Sequence, residues 1–173
     1  VPEVRSLEGF VNMPNNDSNS IGSETMMDIE VAVSLAYPLK TQVIGFRSGS
    51  IVNMTGDLYS PIFQHLIDDY DCDSRPKVLA ISYAGEESEH TAEEANNMCD
   101  NAKKLVDLGT TIVMSSSNDG VANDDGDCPN GEQRQKDGFS RCMLTHFAPT
   151  GKFAPAWPSV CPYILSVGCE CRC

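Results

Sequence analysis

Three stretches with apolar centres constrain the fold of this 173-residue chain more than any other feature. They read KVLAISY (77–83), TTIVMSSS (110–117) and PYILSVG (162–168). Strands that are buried on both faces of a sheet show continuous apolar runs of this kind. Between the first two lies a helical pattern, TAEEANNMCDNAKKLVDLG, which Gly109 closes. Because apolar strands that alternate with helices form parallel sheets, the sequence predicts an α/β domain.

The N-terminal part of the chain shows a weaker version of the same order. Residues 1–22 are rich in Asn, Ser, Pro and Gly, and they predict an irregular segment. A helix is expected from Ser23, a good N-cap, until Pro38 stops it, and its apolar positions predict that it is mostly buried. TQVIGF (41–46) predicts a short strand, and the spacing within residues 57–70 predicts a second helix.

The region from Asn118 to Pro155 has no periodicity and predicts a long polar loop. Such loops are usually functional or cross-linked, and we expect Cys128 to pair with Cys142 as the simplest closure. The chain then ends in CECRC (169–173) soon after the last apolar strand. An α/β domain that stops there looks like part of something larger.

Charge and cysteine usage limit the environment and the partners. The chain has 25 acidic and 12 basic residues, and its formal charge of −13 argues against a nucleic-acid partner. Eight cysteines and two glycosylation sequons, at Asn16 and Asn53, favour a secreted or vesicular protein. The disulfide connectivity stays open, including bridges from CECRC to another chain or a soft metal bound there. No apolar run is long enough to span a membrane, and the start at Val1 suggests a processed terminus.

Two acids, Glu24 and Asp28, stand four positions apart in the first predicted helix. Residues at this spacing share one helix face, so the two carboxyl groups can share a proton. The alternative is a solvated acid pair near a helix N-terminus, where the helix dipole favours negative charge. Apolar neighbours such as Met26, Met27 and Val31 favour an enclosed setting for Asp28.

Asp119 follows the apolar strand 110–117, at the strand end where open α/β sheets bind ligands. Its alternative role is a turn built by Asn118-Asp119-Gly120. The three histidines have no partner at metal-ligand spacing, and surface positions are expected for His65, His90 and His146.

Four ordered motifs resemble the sedolisins, the serine-carboxyl peptidases that include tripeptidyl peptidases and physarolisin-like acid peptidases. ETMMDIE (24–30) resembles their Glu-x-x-x-Asp helix, and VLAISYAGEE (78–87) their Ser-Tyr-Gly segment. TTIVMSSSNDGVA (110–122) resembles their Ala-Ser-Gly-Asp stretch, and FAPAWPSVCPYILSVG (153–168) their Phe-Pro-Ala-Ser-x-Pro strand. The resemblance implies a subtilisin-like parallel sheet flanked by helices, present only as its N-terminal part. Residues 23–168 would form this partial domain, between the irregular segment 1–22 and the tail 169–173.

The resemblance also implies roles for individual residues. Glu24 would be the general base, Asp28 the acid that orients it, and Asp119 the carboxyl group in the oxyanion hole. The segment that holds the substrate backbone would be Ser82, Tyr83 and Ala84. A carboxylate base works in acid, where histidine is already charged, so an acidic working pH is expected in a secreted or lysosomal setting.

Departures from the family pattern are as informative. The family's Gly-Thr-Ser-x-Ser-x-Pro nucleophile motif is absent, and Val167-Gly168 runs into CECRC where Gly-Thr would follow. Ala84 stands where the family has glycine, and Asn118 replaces a small residue. The nucleophilic serine and the calcium site of the complete enzyme are therefore expected on a second chain or in a missing C-terminal part.

Two alternatives remain at this point. The chain could be a catalytically inactive binding or structural protein derived from a sedolisin, since it lacks the serine. The unusual CECRC ending could also reflect a sequence that is incomplete or imperfectly read there.

Overall fold

A computed structural model describes residues 3–7, 23–46, 59–87, 90–117 and 156–168. The chain forms two compact units, Val1–Met54 and Thr55–Cys173, and each is described by itself. Within the described residues, no helix is both long and apolar enough to cross a membrane.

The first unit contains two parallel strands and a helix. Strand β1 (Glu3–Leu7) pairs with β2 (Gln42–Phe46) in parallel, and helix α1 (Ser23–Ala36) lies between them in the chain. The bounds of α1 and β2 confirm the sequence prediction. Strand β1 contradicts the irregular structure predicted for residues 1–22, because a five-residue polar strand is fixed by hydrogen bonds to a partner far along the chain.

Helix α1 is more exposed than its apolar pattern predicts. Met26 and Met27 are 49% and 55% exposed, Val31 is 52% exposed, and Leu35 is 82% exposed. The prediction of a mostly buried helix is therefore wrong for these side chains. The spacing of apolar residues specifies a helix face, whereas burial also requires a second layer that covers that face.

The second unit is built on a three-stranded parallel sheet. Its strands are β3 (Val78–Ile81), β5 (Thr111–Ser115) and β7 (Leu165–Val167), in the order β3-β5-β7. Each strand lies within one of the three apolar stretches, so the predicted parallel α/β architecture is confirmed. Strand β5 lies in the centre, where Ile112 and Met114 are 1% exposed.

Two helices belong to this unit, and one of them covers part of the sheet. Helix α3 (Ala92–Asp107) packs against both α2 (Ser60–Asp68) and β5. A capping box between Thr91 and Glu94 starts α3, and Gly109, with a φ of 92°, follows its end. The core of this unit includes the buried apolar side chains Phe63, Leu66, Met98, Ala102, Leu105, Ile112, Met114 and Trp157.

Two further links in the second unit have no local sequence signal. Strands β4 (Gly85–Glu86) and β6 (Ala156–Trp157) form a short antiparallel ladder. A disulfide joins Cys99 of α3 to Cys161, with Cα atoms 5.7 Å apart. The predicted pairing of Cys128 with Cys142 lies outside the described residues. The proposed domain limits, with 23–168 as one partial domain, stay a prediction.

Candidate active site

The carboxyl ends of the three parallel strands emerge at one edge of the sheet. Ile81 at the end of β3 is aligned with Met114 of β5, and Ser115 of β5 with Val167 of β7. This edge is where open α/β sheets place their ligands. Three of the four sequence motifs therefore each contain a strand whose carboxyl end lies at this edge.

The segment Ser82–Ala84 connects β3 to β4. Its two ends are fixed by strand pairing, β3 with β5 and β4 with β6. Ser82 is exposed and the side chain of Tyr83 is 49% exposed, so both are accessible in the second unit. The hydroxyl of Tyr59 donates a hydrogen bond of 2.9 Å to the carbonyl oxygen of Tyr83.

The backbone adopts an uncommon dihedral angle at the carboxyl end of β5. Ser117 has a φ of 74°, a left-handed conformation that is uncommon for a residue other than glycine. Its N–H donates a 3.2 Å hydrogen bond to Oγ of Ser115. Strained residues of this kind concentrate at functional sites, and Ser117 stands two positions before Asp119. Asp119 itself lies outside the described residues.

The ends of β5 and β7 approach each other closely at Gly168. The N–H of Ser116 donates a 2.9 Å hydrogen bond to the carbonyl of Val167. A Cβ atom added to Gly168 would overlap Oγ of Ser116 and would lie 3.0 Å from its Cβ. A larger residue here would require the Ser116 hydroxyl to rotate away and the two strand ends to move slightly apart, so glycine favours their close approach.

Both acids of the Glu-x-x-x-Asp motif belong to α1. Their spacing of four residues places Glu24 and Asp28 on one face of this helix, as predicted. Asp28 is partly buried, whereas the side chain of Glu24 lies outside what the structure describes. Met26, Met27 and Val31, the apolar neighbours expected to enclose Asp28, are each about half exposed, so the described residues do not show the expected enclosure.

The remaining predicted positions are distributed as follows. The sequons Asn16 and Asn53 and the histidine His146 lie outside the described residues. His65 and His90 were expected at the surface, but both are partly buried. Each ring packs on an aromatic neighbour within the second unit, and that packing shields the histidines from solvent.

Their contacts are specific. Nδ1 of His65 lies 2.5 Å from Oδ2 of Asp69, and its ring meets Tyr70 edge-on at 5.5 Å. The ring of His90 lies 5.4 Å from that of Trp157. In the part of the chain that the structure describes, no group of three or more His, Cys, Asp or Glu side chains could hold a metal ion.

Two residues of the second unit make contacts that the sequence did not predict. Tyr59 contacts the backbone of the Ser82–Ala84 segment, and the side chain of Arg75, only 7% exposed, binds backbone carbonyls near the end of helix α2. Arg75 donates hydrogen bonds to the carbonyls of Leu66 (2.9 Å), Ile67 (3.2 Å) and Tyr70. Both contacts join a side chain to a backbone carbonyl, and no residue pattern along the chain signals such a pair.

Comparisons with known proteins give a consistent result. The chain is 28% identical to the tripeptidyl-peptidase SED1 of Arthroderma otae over 196 residues, which cover 96% of this chain and 28% of that protein. It is 27% identical to tripeptidyl-peptidase 1 of Dictyostelium discoideum over 90% of this chain and 21% of that protein. A stretch of 94 residues is 35% identical to the tripeptidyl-peptidase sed1 of Aspergillus fumigatus. The chain thus spans about a quarter of the length of the first two relatives and matches 13% of the third.

The fold is similar to that of a solved structure. A Pseudomonas sedolisin, described as a serine-carboxyl proteinase complexed with two molecules of pseudo-iodotyrostatin, aligns with a TM-score of 0.60. The alignment covers 96% of this chain and 40% of the sedolisin chain, at 19% sequence identity. No protein-family profile matches the chain.

Proposed function

We propose that this chain forms one part of a sedolisin-type, acid-acting serine-carboxyl peptidase that hydrolyses peptide bonds through an acyl-enzyme. One observation carries the proposal. The segments that resemble the family's substrate and oxyanion motifs continue from adjoining strand ends, in a chain similar to tripeptidyl-peptidases along 96% of its length. The names of these relatives favour release of tripeptides over internal cleavage.

Glu24 and Asp28 would activate the nucleophile. The carboxylate of Glu24 accepts the proton of a serine hydroxyl as the oxygen attacks the scissile carbonyl. Asp28, one helical turn away on α1, holds Glu24 by sharing a proton with it. A carboxylate base remains able to accept a proton at an acidity where an imidazole is already protonated, which is why this pair suits an acidic working pH.

Asp119 would stabilise the tetrahedral intermediate. A protonated carboxyl group can donate a hydrogen bond to the oxyanion, and donors aimed at a developing negative charge lower the barrier. The left-handed backbone of Ser117, at the carboxyl end of β5 and two positions before Asp119 in the sequence, supports this role, because strained residues concentrate at functional sites. The peptide substrate would lie along Ser82–Ala84, with Tyr83 beside one of its side chains.

The nucleophilic serine would come from outside this chain, on a second chain or in the remainder of a longer polypeptide, because the Gly-Thr-Ser-x-Ser-x-Pro motif is absent from the sequence. The calcium ion that the family resemblance implies would bind there as well, and no step assigned to this chain involves it. The disulfide between Cys99 and Cys161 supports secretion or residence in an acidic vesicle, since such bonds persist in oxidising compartments. The acidic composition gives no reason to expect a nucleic-acid partner.

The test compares two charge-removing substitutions in α1 of the complete enzyme. Glu24→Gln removes the proposed base, and we expect kcat at acidic pH to fall by about 100-fold or more. Glu30→Gln is the matched control, because Glu30 is an exposed acid of the same helix and should leave kcat unchanged. A serine-directed acylating reagent should label the serine-bearing part of the wild-type enzyme and fail to label the Glu24→Gln form.

Two results would contradict the proposal. Full peptidase activity of the Glu24→Gln enzyme would remove Glu24 from the mechanism. A purified native protein with no second serine-bearing segment and no peptidase activity in acid would favour the alternative, an inactive binding protein that retains the scaffold.

A further inference from the structure

The hydrogen bond between Tyr59 and Tyr83 links the start of helix α2 to the segment that leaves the sheet edge. The two residues are 24 positions apart, and the hydroxyl lies 2.9 Å from the carbonyl oxygen of Tyr83. Tyr59 is 7% exposed, so its ring is held by packing. Its own carbonyl accepts a 2.9 Å hydrogen bond from the N–H of Phe63, in the first turn of α2. The phenol is thus fixed at its backbone and at its hydroxyl.

The connection between β3 and β4 consists of Ser82–Ala84, three residues that lie outside the strand pairing of either element. The ladder of β3 ends at Ile81, and the ladder of β4 begins at Gly85. Among the described residues, no turn or loop hydrogen bond engages the N–H of Tyr83 or of Ala84. The Tyr59 hydroxyl therefore supplies an anchor in the middle of this short span.

Holding the Tyr83 carbonyl also orients the N–H of Ala84. The carbonyl of one residue and the N–H of the next belong to a single planar peptide unit, and in the trans form they point in opposite directions. Once the hydroxyl of Tyr59 fixes the carbonyl, rotation of this peptide plane would break the hydrogen bond. The N–H of Ala84 is consequently directed away from Tyr59, with its donor capacity unused by the described residues.

We propose that Tyr59 is a positioning residue that directs the N–H of Ala84 toward a carbonyl oxygen of an extended peptide substrate. This inference rests on the proposed peptidase function. An extended peptide beside a strand is recognised through main-chain hydrogen bonds, so its affinity depends on a fixed direction of each donor. Tyr59 does not touch the substrate, and it acts through the peptide plane between Tyr83 and Ala84.

The experiment compares Tyr59→Phe with Tyr70→Phe in the complete enzyme. Both residues are buried tyrosines at opposite ends of α2, with Tyr70 4% exposed, and each substitution removes a single hydroxyl. Circular dichroism and thermal melting establish that both variants are folded. We expect Tyr59→Phe to raise KM for a peptide substrate by about two- to tenfold with kcat nearly unchanged, the effect of losing one hydrogen bond that supports binding. Tyr70→Phe should leave KM unchanged.

A second measurement does not depend on catalysis. The NMR order parameter of the Ala84 N–H should be lower in Tyr59→Phe than in Tyr70→Phe, because the peptide plane is no longer held. Equal order parameters in the two variants overturn the positioning role. A lower order parameter with equal KM values overturns its contribution to substrate binding. A folded wild-type enzyme without peptidase activity overturns the proposed function and the substrate role with it, while the order-parameter comparison still decides whether Tyr59 orients the segment.

Discussion

Breaking the disulfide between Cys99 and Cys161 should destabilise the second unit strongly. The two cysteines are 62 positions apart, so the bond closes a long loop in the unfolded chain. The loop-closure relation gives about 4 kcal/mol of stabilisation for a loop of this length. For a protein of this size, that corresponds to a decrease in melting temperature of roughly 10 °C. Replacing both residues by alanine removes the bond without placing a hydroxyl at Cys161, which is 2% exposed.

The assay is thermal and urea-induced unfolding of the wild type and the double variant under non-oxidising, non-reducing conditions. Cys72→Ala is the matched control, because Cys72 is exposed and free among the described residues, and its replacement should leave the melting temperature unchanged. Peptide mapping by mass spectrometry should recover Cys99 linked to Cys161. A different partner for Cys99, or a loss of stability below about 1 kcal/mol, would refute the loop-closure reasoning.

Three further changes test contacts within the second unit. Arg75→Met leaves three backbone carbonyls near the end of α2 without their donor, and the free energy of unfolding should fall by roughly 3 kcal/mol in urea titrations. The pKa of Glu94 is held below its ordinary value by hydrogen bonds from the backbone N–H of Thr91 and, second, from its hydroxyl. The stabilising effect of Glu94 is therefore present above about pH 4.5 and is lost as the pH falls through the lowered pKa. Glu94→Gln should consequently flatten the acid side of the stability profile. Gly168→Ala should cost about 1–3 kcal/mol by overlap with Ser116, and adding Ser116→Gly should restore most of that loss in thermal melting.

Each of these expectations has a contrary result. An Arg75→Met protein with wild-type stability would mean that water replaces the guanidinium at those carbonyls. Parallel acid profiles for Glu94→Gln and the wild type would remove the capping box from the pH dependence. A loss of stability in Gly168→Ala that Ser116→Gly does not reduce would place the strain elsewhere.

Several elements could be predicted from local sequence because their causes are local. Helix α1 begins at the N-cap candidate Ser23 and ends at Ala36, two residues before Pro38. Strands β3, β5 and β7 lie inside the three apolar stretches. The spacing of Glu24 and Asp28 on one helix face likewise needs only the periodicity of the helix.

Other features depend on partners that are distant in sequence. Strand β1 and the β4–β6 ladder exist through backbone pairing, and any residue with a free N–H and carbonyl can take part in it. The same holds for Tyr59, whose hydroxyl finds a carbonyl 24 residues away. The connectivity of Cys99 could not be chosen from the sequence because all eight cysteines are chemically equivalent before the chain folds.

The sequence by itself determined the α/β class, the parallel strands and the candidate acids Glu24, Asp28 and Asp119, because apolar periodicity and motif spacing act over a few residues. The tertiary structure alone decided that Cys99 meets Cys161, that Gly168 lies close to Ser116, and that Tyr59 holds the Tyr83 carbonyl. These are contacts between groups brought within a few ångströms by the fold. Their energies depend on distance in space, and the order of residues along the chain does not record that distance.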